Sequence, residues 1–220
     1  MIFRSFDQLV NDPFGFLIQA ALFVVVIVVS IGIHEFAHAW SAYLLGDTTA
    51  AQRGRLTLNP IAHLDPMGTL LLFIAGFGWG KPVPVNPYNL RGDPRRSMAI
   101  VSFAGPLSNV LLAGFVAAVI RSDVGLPLWV TEDILGSLLM INLVLAVFNM
   151  IPLPPLDGFK IAVGLLPRLP ALSLARLEPQ GPMLLLLIIM LDNFGNTHIL
   201  SSVLGPPIQF LGRLMLQGGV

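Results

Sequence analysis

From Phe14 to Ile33 the chain runs twenty residues without a charged side chain, and the run ends directly on His34-Glu35-Phe36-Ala37-His38. About twenty apolar residues, each rising 1.5 Å, cross the hydrocarbon of a bilayer as one helix. In lipid every backbone N–H and C=O must be paired within its own segment, so a run of this kind is restricted to a helix. A cleaved leader would have a shorter apolar region of roughly 7–15 residues behind a basic stretch. Here Asp7 and Asp12 precede the run, which is therefore read as a retained crossing.

The rest of the chain agrees with a membrane setting. Only 11% of the 220 residues are charged, against about 25% in a soluble domain. Mean hydropathy is +0.82. A net charge of zero argues against a nucleic-acid partner. Without cysteine, disulfides, thiolate ligands and thiol nucleophiles are excluded, and a metal must be held by His, Asp or Glu.

Two further uncharged runs, Met98–Ile120 and Ile134–Leu156, are long enough to span. Gly181–Leu191 is apolar but short, and needs the uncharged Asn193–Leu204 stretch or a neighbouring helix to complete a crossing. The expected fold is an all-α polytopic membrane protein of three to five crossings, forming one integral-membrane domain over residues 1–220. Glycine-rich Met67–Gly80 is expected as a small β-hairpin or re-entrant segment, covered by protein or by a water-filled cavity. Lys81–Asn86 is expected to be extended, because Pro82 and Pro84 disfavour helix at and before their positions. Ile208–Leu216 reads as a short interfacial helix with Arg213 on its polar side, or as a frayed end.

On a helix, His34 and His38 lie one above the other and both imidazoles reach one metal ion. Glu35 between them is placed to act as general base toward water activated by that ion, which is the zinc-protease arrangement. Three protein ligands plus water are usual for catalytic zinc. The third is His63, His198 or a carboxylate, and Asp157 is the strongest candidate. It directly follows the third apolar run, where Pro152, Pro154 and Pro155 break the helix. A carboxylate at membrane depth costs about 2.5–3.5 kcal/mol, which a doubly charged metal offsets. An Asp157 that merely N-caps a following helix is the structural alternative. His63 in its polar loop reads as a turn residue, and His198 as an interfacial one.

The pair HEFAH and Asn149-Met-Ile-Pro-Leu-Pro-Pro-Leu-Asp157-Gly158 resembles the site-2 protease family of intramembrane zinc metalloproteases. Leu58-Asn-Pro60, His63-Leu-Asp65-Pro-Met-Gly68, Lys81-Pro-Val-Pro-Val-Asn-Pro87 and Ala104-Gly-Pro-Leu-Ser-Asn109 extend the likeness over residues 20 to 166. The resemblance implies a three-helix catalytic core over about 14–166, followed by a C-terminal membrane segment and tail over about 181–220. It implies one Zn2+ per chain on His34, His38 and Asp157, with Glu35 as general base. Asn149 matches the motif asparagine associated with holding substrate or the developing oxyanion. The implied substrate is a transmembrane segment of another protein, cleaved within the bilayer. No polar segment here is long enough for the PDZ or CBS modules that many relatives carry, and no crossing precedes the HExxH helix.

Lys and Arg concentrate in residues 46–97 and 157–180, whereas 121–133 holds only Arg121. The positive-inside rule then puts the first two of these regions, and the HExxH end of the first helix, on the cytoplasmic side of a prokaryotic plasma membrane. Asn109 and Asn142 lie inside spanning runs, where helix-to-helix hydrogen bonding is the default; Gly105, Ser108 and Ala113 read as close-packing residues. Two rival functions remain, a divalent-metal transporter and a non-catalytic membrane adaptor. A transporter needs a ligand path across the bilayer, and only His198 lies near the far face. An adaptor has no need of Glu35.

Overall fold

The computed structural model describes residues 11–68, 80–195 and 197–217. Helix α1 (Pro13–Leu44) starts where Asp12 accepts a hydrogen bond from the Gly15 N–H and Pro13 takes the first helical position. Its 32 residues amount to roughly 48 Å of rise, well beyond the hydrocarbon thickness, so its last turns extend past any one bilayer crossing. It stops at Gly46, whose φ of 104° opens the turn that lets the Asp47 N–H return to the Ala42 carbonyl. A short α2 (Thr49–Gln52) and a 3-10 turn at Pro60–His63 follow.

Helix α3 (Pro94–Arg121) begins on the same pattern, with Asp93 accepting from the Arg96 N–H and Pro94 next in line. It is the central helix and packs against α1, α4 (Gly136–Asn149) and α5 (Asp157–Leu165). A π-helical turn over Val130–Leu135 leads into α4. The expected third run therefore ends at Asn149 rather than Leu156, because the prolines at 152, 154 and 155 turn the chain back before Asp157. Gly164 makes the α5–α3 contact possible: a Cβ there would stand 2.5 Å from the Ala99 Cβ.

In the C-terminal third the fourth span is completed by a neighbouring helix, the second of the two expected routes, with α6 (Arg168–Ala175) leading into α7 (Gly181–Phe194). The tail is not a short interfacial piece. Residues Ile199–Gln217 form one helix, α8, long and apolar enough to cross. Pro206 and Pro207 sit in its interior, and it packs Ile208, Leu211 and Met215 against the buried Ala113, Val116, Leu139 and Leu143 of α3 and α4. Among the described residues, five helical stretches are thus long and apolar enough to span.

The chain is an all-α polytopic membrane protein. The β-hairpin expected in Met67–Gly80 falls on residues 69–79, outside the described residues. Among the described residues there is no strand, and the single antiparallel bridge joins Leu64 to Gly80. The extended Lys81–Asn86 does not ladder, since Pro82 and Pro84 have no N–H to offer.

Candidate metal centre

Two elements far apart in sequence deliver one cluster. His34 and His38 come from the last third of α1, and Asp157 from the first residue of α5. His34 Nε2 stands 3.0 Å from Asp157 Oδ2, His38 Nε2 stands 3.1 Å from the same oxygen, and the two Nε2 atoms are 3.0 Å apart. Three donors bonded at about 2.0–2.1 Å to one tetrahedral ion stand roughly 3.3 Å from each other, so the spacing fits a metal. Helix α5 starts at Asp157 with Leu156 as its cap residue, and no side chain caps it. The capping reading of Asp157 is therefore set aside, and its carboxylate is directed at the two histidines.

The far side of each imidazole is fixed too. His38 Nδ1 donates to the Val101 carbonyl at 2.7 Å, and His34 Nδ1 donates to Asn109 Oδ1 at 2.6 Å. Both partners belong to α3, and both bonds leave Nε2 as the ring nitrogen that faces the cluster. The rings meet edge to face, 4.6 Å between centroids. They fit because residue 105 of α3 is glycine. A Cβ there would overlap His38 Nε2 and lie 2.7 Å from His34 Cε1. Gly158 serves Asp157 in the same way, since a Cβ would drive into the Met150 and Ile151 carbonyls against which the turn is folded. Two imidazole nitrogens, one carboxylate oxygen and a cradle cleared by Gly105 are the donor set and the space that zinc needs.

Glu35 is not part of the cluster. Its Oε2 accepts the Val83 N–H at 3.0 Å, which aims the carboxylate along the cavity the histidines face. That cavity, about 520 Å³, is lined by His34, Glu35, His38, Asn149 and Asp157, with Val83 and Val85 on one wall. Asn149 donates to the Leu145 carbonyl one turn back at 3.0 Å.

The Lys81–Asn86 strap that carries Val83 is anchored at both ends. Buried Arg55 donates to the Ala62, Lys81 and Pro82 carbonyls, and the Lys81 N–H donates to the His63 carbonyl at 2.8 Å. At the other end fully buried Asp47 accepts from the Asn86 N–H at 2.7 Å, from the Asn89 amide at 3.0 Å and from both the N–H and hydroxyl of Thr49. Burial pushes the Asp47 carboxyl up, but these donors more than offset it and hold it below the ordinary carboxylate value.

The residues singled out in the sequence are thus brought together with two exceptions. His63 is fully buried away from the cluster, with Nε2 donating to the Thr57 carbonyl at 2.9 Å, as suits a turn residue. His198 is exposed at a left-handed turn, φ 53°. The roles of Gly105, Asn109, Arg55 and Asp47 at the site were not foreseen. Gly105 and Asn109 carry a signal in Ala104-Gly-Pro-Leu-Ser-Asn109, part of the family resemblance, but taken singly they read as close packing and helix-to-helix hydrogen bonding; Arg55 and Asp47 carry none beyond being charged residues close to an apolar run.

No family model and no solved structure matches the chain. Among curated proteins, YwhC of Bacillus subtilis, named for a zinc metalloprotease, is 41% identical over 174 residues, or 76% of this chain and 79% of that protein. Rip2 of Mycobacterium tuberculosis, named in the same terms, is 38% identical over 155 residues, 65% of this chain and 58% of its own length. Rip2 of Mycolicibacterium smegmatis is 35% identical over 147 residues, 63% of this chain and 56% of its own. The chain thus spans somewhat over half of each Rip2. Identity at that level across nearly four-fifths of YwhC, joined to the paired motifs, shows that the chain belongs to the site-2 protease family of intramembrane zinc metalloproteases.

Proposed function

We propose that the chain is a zinc metalloendopeptidase that cleaves transmembrane segments of other proteins inside the bilayer, with His34, His38 and Asp157 as the metal ligands. The observation that carries this reading is the convergence of those three side chains beside Glu35, in a cavity walled by membrane-spanning helices. When bound, zinc supplies the Lewis acidity that polarises a peptide carbonyl and brings the pKa of water to about 7. Glu35 takes the proton from the attacking water and later delivers it to the leaving amine. With the Val83 N–H on Oε2, the oxygen that carries this proton is Oε1. Asn149, which lines the same cavity, keeps one amide N–H on the Leu145 carbonyl and donates the other to the substrate carbonyl. A substrate helix has its carbonyls bonded within itself, so it must unwind locally before any of this applies.

Residues 1–220 work as one membrane domain, with catalysis in about 14–166. The Lys and Arg distribution supports a cytoplasmic position for the loops joining α1 to α3 and α4 to α6. His38, in the last turns of α1, and Asp157, at the start of α5, then lie toward the cytoplasmic side. Reconstitution into liposomes with a membrane-spanning peptide tests the assignment. Wild type is expected to cut it, and Glu35→Gln to lose about 10²–10⁴-fold in rate while still binding zinc. Equal cleavage by the two proteins would refute the role of Glu35. Zinc accumulation inside the liposomes without cleavage would point to transport instead.

A further inference from the structure

Four side chains on three helices form a continuous chain of hydrogen bonds that ends on a metal ligand. Ser30, Asn109 and Asn142 are completely buried, so each of their donors and acceptors must be met by protein. The direction of every bond in the chain is forced. The Ser30 hydroxyl donates to the Val26 carbonyl at 2.7 Å, using its one proton. It can therefore only accept from Asn142, whose Nδ2 lies 2.9 Å away. The second Asn142 proton goes to the Leu138 carbonyl at 2.8 Å, which again accepts only. Asn142 Oδ1 must then face Asn109, and it receives Nδ2 at 2.7 Å; the Ser30 carbonyl lies 3.3 Å from the same nitrogen. Asn109 Oδ1 is left facing His34 Nδ1 at 2.6 Å.

An oxygen without a proton at that place admits only a protonated Nδ1, which leaves Nε2 as the bare nitrogen toward Asp157 and His38. Turning either amide over would set two donors or two acceptors against each other in a fully buried site. We propose that Ser30, Asn142 and Asn109 form a one-way relay, anchored on backbone carbonyls of α1 and α4, that holds His34 in its metal-binding tautomer. Asn109 is then a positioning residue for a zinc ligand. The inference rests on reading the cluster as a zinc site. Ordinary helix-to-helix adhesion would use the same residues, but it would be indifferent to which atom of Asn109 meets His34.

The test separates those roles. Zinc affinity is measured by chelator competition on the detergent-purified full chain for wild type, Asn109→Leu and Asn109→Asp. Both substitutions remove the donor to Asn142, but only the aspartate keeps an acceptor against His34 Nδ1. Asn109→Leu is expected to bind zinc about 10–100-fold more weakly, and Asn109→Asp, which keeps the acceptor but sets its second oxygen against Asn142 Oδ1, to bind it more tightly than Asn109→Leu though below wild type. Equal weakening in both, or none in Asn109→Leu, would overturn the relay. A second measurement needs no folded relay variant: 15N NMR of metal-free, histidine-labelled wild type, with the His34 signals assigned by their loss in His34→Gln. A proton on His34 Nδ1 is expected, and a bare Nδ1 would refute the proposal. Should wild type itself bind no zinc, the metal reading falls while the NMR result still decides the relay.

Discussion

At the scale of single residues, the centre depends as much on an absent side chain as on the three donors. His34 and His38 converge because the HExxH spacing stacks them on one face of α1, and that much follows from helix geometry alone. The space they converge into is set by Gly105 on another helix, where a Cβ would overlap His38 Nε2. Gly105→Ala is therefore expected to lose zinc while its helix content by circular dichroism stays at the wild-type level. Zinc bound at wild-type affinity by that variant would remove Gly105 from the account. The three proposed ligands and the proposed base Glu35 were legible as candidates in the sequence because each stands in a motif whose chemistry is local. Gly105 was not, because a glycine in a membrane helix usually marks close packing, and only the tertiary structure shows that imidazoles fill the gap.

Among the elements, α1, α3 and α4 were readable as uncharged runs, while the C-terminal third was not. Its spans contain Pro170, Pro179, Pro206 and Pro207, residues that disfavour a regular helix and so obscure a crossing in the sequence pattern. In α8 both prolines sit inside the helix instead, the kind of interruption that neighbouring helices make tolerable in a membrane. The strap that aims Glu35 is held by a different logic, polar anchors at the membrane end of α1. Asp47 has its carboxyl held below the ordinary value of 3.8 when folded, so its contribution to stability is complete above that value and is lost as pH falls through the lower, folded value. Asp47→Asn is accordingly expected to lower stability by about 1–3 kcal/mol near neutrality, as hydrogen bonds to a buried charge weaken. The gap to wild type should close as pH drops below about 4, because the wild-type carboxylate is then also becoming neutral. Thermal melts of both proteins between pH 3 and 7 check this, and a gap that stays constant with pH would contradict it.

For the whole molecule, the five helical stretches among the described residues that are long and apolar enough to span, taken as one crossing each, put the loops joining α1 to α3 and α4 to α6 on one face. The chain contains no cysteine, so single cysteines can be introduced without background. In intact cells, a membrane-impermeant thiol reagent is expected to label Ser122→Cys and to spare Thr57→Cys; the reverse pattern would invert the proposed orientation. The orientation matters because it decides from which side water and an unwound substrate reach Glu35. Everything in the account converges on a metal held by α1 and α5, with a separate base beside it. Zinc content of the purified protein measures this most directly, for wild type, His38→Ala, Asp157→Ala and Glu35→Gln. One zinc per chain is expected in wild type and in Glu35→Gln, with loss in the other two. Undiminished zinc in Asp157→Ala would contradict the three-ligand centre, and with it the assignment of the cavity as the active site.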